Sequence, residues 1–139
     1  MSRLKTLVSM SAQDRRLLAR AFMLNAWARL ALQVMAIDRL RDWATRQGNG
    51  KEDLARIVWA SRAAARRTPF GTCLSSALAL QRLMAANGHG SDLHIGVARD
   101  AGAFVAHAWV ERDGIVLIGE DEQRQYSRLM NWRAGATDG

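Results

Sequence analysis

One thiol, one imidazole and one carboxylate of this chain could do covalent chemistry together if the fold gathers them. The single cysteine, Cys73, stands in "TPFGTCLSSALAL", just after the only proline and at the start of an apolar run. Pro69 disfavours helix at Thr68, and Gly71 permits unusual backbone angles, so a helix is predicted to open at or next to Cys73. The backbone N–H groups of a first helical turn stabilise a thiolate there, and the same donors can hold an oxyanion. A lone cysteine is also a good small core residue, so its position alone does not give it a reaction.

His107 comes from "AFVAHAWVE", where alanines flank it in an alternating segment and a bulky polar ring has no packing purpose. The next piece, "RDG", predicts a hairpin. If Asp113 and Gly114 form a two-residue loop, Arg112 pairs with Ile115, and an unbroken ladder sets Glu120 across from His107. A slip or bulge of one residue brings Gly119 or Asp121 there instead, so Glu120 is the first candidate acid and Asp121 the second. Glu111 shares the parity of His107 but lies about 13 Å along the same strand, too far to orient its ring. A thiol nucleophile, an imidazole acid–base and a carboxylate that fixes the imidazole tautomer form one recurring catalytic arrangement, here in the order Cys, His, acid.

Two other readings use the same residues. If Ala98 pairs with Ala103 in the preceding hairpin, His94 falls opposite His107, and a row of His94, His107 and Glu120 could bind zinc with Cys73 near. No short ligand spacing accompanies that row. The other reading is a non-catalytic binding module that uses basic helices to hold an acidic partner. No motif asks for a cofactor.

The elements that must position these residues are legible from periodicity. Ser11 with Asp14 three residues on reads as a helix N-cap, and Leu17, Leu18, Ala21, Phe22, Leu24, Trp27 and Leu30 continue a long helix. A break is expected near Ala36 to Arg39. "RQGNGKED" interrupts the pattern, a linker is expected at Gln47–Lys51, and helical spacing resumes from Asp53 to Arg67 through Leu54, Ile57, Val58 and Ala64. The alanines of "ASRAAARR" read as helix propensity with exposed arginines. The Cys73 helix ends at "NGHG", whose Asn87 and Gly88 suit a C-terminal cap, and His89 reads there as solvated. Beyond it the period becomes two in "DLHIGVA", "AFVAHAWVE" and "GIVLIGE", a three-strand antiparallel meander with turns at "RDAG" and "RDG". "DEQRQYSRLMNW" is expected as a final helix or irregular cover, and "RAGATDG" as a frayed tail.

Composition bounds the rest. At 139 residues the chain holds one core with an appendage. One cysteine cannot make an internal disulfide, and "MSRLKTLVSMSAQDRRLL" lacks the apolar run of a signal peptide, so a cytoplasmic protein is expected. Arg20, Asn25 and Arg29 interrupt the apolar stretch from Leu17 to Ile37, and each central arginine costs roughly 2.5–3.5 kcal/mol in a spanning helix, so no spanning segment is expected. The formal charge is +7, with most arginines before Cys73. Such a basic face suits an acidic partner; nucleic acid is not expected, since zinc-finger spacing, RNA-binding aromatics and a recognition-helix pattern are all missing.

"TCLSSALALQRLM" followed by "LHIGVARDAGAFVAHAWVERDGIVLIGE" resembles the leader peptidases of lasso-peptide biosynthesis, a compact branch of the transglutaminase-like cysteine proteases. The likeness is strongest from Pro69 to Glu120. It implies an α+β fold in which N-terminal helices, residues 1–50, precede a transglutaminase- or papain-like core, residues 51–139, with the cysteine helix packed on a small antiparallel sheet. It implies Cys73 as nucleophile and His107 as general base. Many relatives carry an aspartate where this chain reads "IGEDE", so Gly119 can occupy that column and leave Glu120 or Asp121 as the acid. The implied activity is removal of the leader from a ribosomally made precursor peptide, ahead of a separate cyclase. The implied partners are that leader, a separate small leader-binding protein and the cyclase. The helical region with Trp27 and Trp43 is the expected docking place for partner or leader.

Overall fold

The computed structural model of the protein describes residues 11–67, 73–100, 102–118 and 127–134; for 97–100, 103–107 and 127–134 it describes the backbone. Among these residues there are four helices, α1 (Ala12–Val34), α2 (Ile37–Thr45), α3 (Leu54–Arg67) and α4 (Cys73–Ala86). Four strands follow: β1 (Ser91–Asp100), β2 (Ala103–Arg112), β3 (Ile115–Ile118) and β4 (Ser127–Ala134). They form one antiparallel sheet in the order β3-β2-β1-β4. The fold is thus α+β, with the Cys73 helix packed against the two central strands.

The helix starts and stops follow local chemistry. The Ser11 hydroxyl accepts from the Asp14 amide at 3.1 Å and caps α1, with the Asp14 carboxylate in the first turn. The long helical run breaks at Met35 and Ala36, at the near edge of the expected interval. At the far end of α4 the His89 amide donates to the Met84 carbonyl (2.8 Å) and the Gly88 amide to Ala85 (3.1 Å), with Gly88 at φ +82°. That is the left-handed stop expected of "NGHG".

The linker between α2 and α3 supplies further caps. The Gly48 and Gly50 amides donate to the Ala85 and Ala86 carbonyls at 3.1 and 2.9 Å. A Cβ on Gly48 would lie 2.7 Å from the Ala86 carbonyl oxygen, so only glycine permits this approach. His89, expected in solvent, is half-buried, and its Nε2 lies 2.8 Å from the Glu52 carbonyl, which accepts.

The apolar core is shared by helices and sheet. Leu17, Ala21, Ala28 and Ala31 of α1, Leu40 of α2, Ile57, Ala60 and Ala64 of α3, and Leu78, Leu80, Leu83 and Met84 of α4 join Leu93, Ala108 and Val110. The alanines let helix axes approach closely. The alanines of "ASRAAARR" therefore contribute packing as well as propensity: Ala60, Ala63 and Ala64 are buried, while Arg66 and Arg67 are exposed.

Three sequence expectations are corrected here. First, residues 127–134 form a strand at the β1 edge, where a helix or irregular cover was expected. Met130, Trp132 and Ala134 recur at every second position, but so short a run fits either period, and the open edge of β1 decides it. Second, the β1–β2 register is Asp100↔Ala103 and Ala98↔Val105, a two-residue connection where the four residues of "RDAG" were expected to form the turn. His94 therefore pairs with Trp109, and Gly96 with His107. Third, the β2–β3 hairpin opens as expected with Arg112↔Ile115 and Glu111↔Val116, but the next pair is Val110↔Ile118. Leu117 is an extra residue in β3, a bulge that breaks the ladder on which Glu120 was counted.

Candidate active site

Cys73 is the first residue of α4 and is half-buried against the apolar core. Its helix is fastened at that end by a neighbour 48 positions earlier in the chain, since Asn25 of α1 is buried and meets the first turn of α4. The Asn25 side-chain amide donates through Nδ2 to Ser76 Oγ at 3.0 Å, and Ser75 Oγ donates to Asn25 Oδ1 at 3.0 Å. Ser75 and Ser76 thus hold two helices together. The sequence signal for Asn25 was available: it is a polar residue in an apolar helical run. Replacing Asn25 with alanine removes both hydrogen bonds at a buried site. The expected cost is about 1–3 kcal/mol, read as a lower midpoint in urea denaturation with an unchanged slope.

His107 lies in the middle of β2, paired with Gly96 of β1. β2 packs directly against α4, so the structure sets the cysteine helix and the histidine strand side by side. Glu120 and Asp121 lie outside the described residues. The bulge that bears on them is described, and it has a physical anchor: Arg62 of α3 donates to the Leu117 carbonyl at 3.1 Å. The bulged residue thereby finds a partner off the ladder. Nothing in the sequence linked Arg62 to this carbonyl, which lies 55 positions away.

Next along the parity of position 107 is a buried polar cluster. Trp109 is fully buried, and its indole N–H donates to Glu111 Oε2 at 2.7 Å. The same carboxylate oxygen lies 3.5 Å from His94 Nε2, and the His94 ring stacks on Trp109 with centroids 5.5 Å apart. Sequence reasoning set Glu111 aside as too distant from His107; the structure joins it and Trp109 to His94. The metal reading needed His94 opposite His107, and the observed register puts Trp109 there. Among the described residues no group of three His, Cys, Asp or Glu side chains is placed to hold a metal ion.

A second feature of the helices is aromatic and basic. Trp27 of α1 packs on Trp43 of α2 with ring centroids 4.7 Å apart, and the Arg82 guanidinium lies 5.7 Å from the Trp43 ring centroid. Arg82 also donates to the Trp43 and Arg46 carbonyls at 3.2 and 3.4 Å. Burial, then the neighbouring Arg46 and Arg20 guanidiniums, lower the pKa of Arg82 from its ordinary value. Among the described residues, no helix is long and apolar enough to cross a membrane.

A family model described as the transglutaminase-like superfamily matches residues 13–131, from the first turn of α1 into β4. No curated protein and no solved structure matches the chain.

Proposed function

The chain belongs to the transglutaminase-like superfamily, in which cysteine-protease-type catalysis is common, and on that premise we propose that it is a cysteine peptidase removing the leader from a lasso-peptide precursor. The observation that carries the reading is Cys73 at the first residue of a helix packed against the strand that bears His107. The likeness of "TCLSSALALQRLM" and "AHAWVE" to leader peptidases supplies the substrate.

The levels of the two backbones support it, while alternation puts position 107 with Trp109 and Glu111 on the sheet face opposite Ala108 and Val110. Gln81 donates to the Ser91 carbonyl, which ties the middle of α4 to the start of β1. The chain reverses between them through residues 87–90. From Gln81 back to Cys73 the helix rises about 12 Å, the length of roughly three to four strand residues. Counted along β1 from Ser91, that length ends near His94 and Ile95, adjacent to Gly96, the partner of His107.

In this reading the Cys73 thiolate attacks the scissile carbonyl, and the amide N–H groups of the first turn of α4 hold the oxyanion. The C–N bond breaks as the His107 imidazolium gives its proton to the departing amine, the new core N-terminus. A thioester to the leader remains. His107 then takes a proton from water, the hydroxide attacks the thioester, and the leader leaves as a carboxylate with the thiolate restored. The acid on the strand after β2 orients the imidazole. The amine product is the nucleophile a ring-closing enzyme would use, which makes a cyclase and a separate leader-binding protein the proposed companions.

The test is direct. The chain is combined with the precursor peptide encoded beside its gene and with any leader-binding protein encoded there, and the products are weighed by mass spectrometry. A leader carboxylate and a core amine differing from the precursor by one water are expected. An intact precursor under those conditions would sink the reading.

A further inference from the structure

The outer face of α1 carries a line of exposed apolar side chains. Met23 is 70% exposed, Trp27 44%, Leu30 65% and Val34 82%, at spacings of four, three and four residues. They occupy one face of the helix over about 17 Å. Exposed Arg16 and Arg20 continue the same line toward the N-terminus. Beside its middle, where Trp27 meets Trp43, Arg20 and Arg46 lie within electrostatic reach of Arg82. An apolar stripe bordered by the guanidiniums of Arg16, Arg20, Arg46 and Arg82 matches an amphipathic segment that offers apolar anchors and carboxylates together.

We propose that this face binds an acidic, amphipathic segment of the peptide substrate itself, as an exosite feeding the Cys73 centre. The proposal rests on the peptidase reading. Reach favours the substrate as occupant: Asn25 fastens the inner face of α1 to the first turn of α4, so a chain leaving the outer face rounds about half the helix, roughly 17 Å, to the Cys73 end. About five or six extended residues span that path. A second copy fits poorly, because a two-fold axis through the middle of the stripe would set one arginine cluster against its copy.

The experiment uses the full chain carrying Cys73→Ala as bait for a random library of 18-residue displayed peptides. Enrichment of net-acidic sequences with apolar residues three and four apart is expected. Binding of one such synthetic peptide, read by fluorescence anisotropy, should weaken at least tenfold with Leu30→Glu, an exposed site whose change leaves the core intact. It should weaken as much with Arg20→Glu plus Arg46→Glu, and recover when the peptide glutamates are replaced by lysines. Selected peptides with no acidic bias, or binding indifferent to Leu30→Glu, would overturn the proposal. So would a dimer that Leu30→Glu dissociates, or Leu30-dependent binding to phosphatidylglycerol vesicles in place of peptide. Joining the peptide through a short linker to the cleavable sequence separates the two readings. Docking without Cys73-dependent cleavage overturns the peptidase alone, and cleavage without docking overturns the exosite alone.

Discussion

Replacing Cys73 with alanine is expected to lower precursor cleavage by on the order of a thousandfold or more while leaving the protein folded. Loss of a covalent nucleophile removes the acyl-enzyme route, and what remains is the weak assistance of substrate binding and oxyanion donors. The fold should tolerate the change because Cys73 is only half-buried and opens a helix, where alanine has the higher propensity. Circular dichroism and an unfolding free energy within about 1 kcal/mol of the parent would establish folding. A binding module of the same fold predicts the opposite: no function lost with the thiol. Retained cleavage in a folded Cys73→Ala protein would therefore end the peptidase reading.

The second large effect concerns the acid, where two adjacent carboxylates are expected to behave very differently. Asp121→Asn should reduce cleavage by about a hundredfold or more, as when an imidazole loses the carboxylate that fixes its tautomer, whereas Glu120→Gln should stay within about threefold. The reason is the Leu117 bulge. Counted from Arg112↔Ile115 and Glu111↔Val116, three more pairs beyond Val110 would bring His107 to Glu120. If pairing continues past Ile118 in the observed register, three steps along β2 to His107 match three steps that end at Asp121. The two variants differ by one residue and one methylene, so they test the register as much as the chemistry. Equal losses, or a larger loss for Glu120→Gln, would contradict it. A pH–rate profile adds a readout specific to the imidazole: with Asp121→Asn the ascending limb should move, which a merely structural lesion would not produce.

What was legible in the sequence was local. The Ser11 cap, the Gly88 stop and the Asp113-Gly114 loop, with φ +52° and +80°, are each decided by the backbone preferences of a few consecutive residues. The helix beginning at Cys73 and the strand through His107 belong to the same class, because the change from a period of 3.6 to one of two is written in neighbouring side chains. The resemblance to leader peptidases also runs along consecutive residues, and the superfamily match over 13–131 agrees with its coarser part.

What was not legible required partners distant in the chain. The polarity of Asn25 was visible, but its function depends on Ser75 and Ser76, fifty positions later. The register error in β1–β2 came from counting a four-residue turn. The observed pairing is shifted by two residues, which keeps Leu93, Ala108 and Val110 on one face in either register, so alternation could not choose between them. The fourth strand needed an open β1 edge to pair with, which no window around Ser127 reveals.

The sequence by itself determined which residues could react and on which kind of element each stands, because helix starts, strand alternation and tight turns are short-range properties of the backbone. Only the tertiary structure decided how those elements align: the Leu117 carbonyl is turned out to Arg62, Asn25 is locked to the first turn of the cysteine helix, and Trp27, within the exposed stripe, packs at a tilt on Trp43. Each of those contacts joins groups many residues apart, and their geometry is set by what the whole core can bury and which polar atoms must still find a partner.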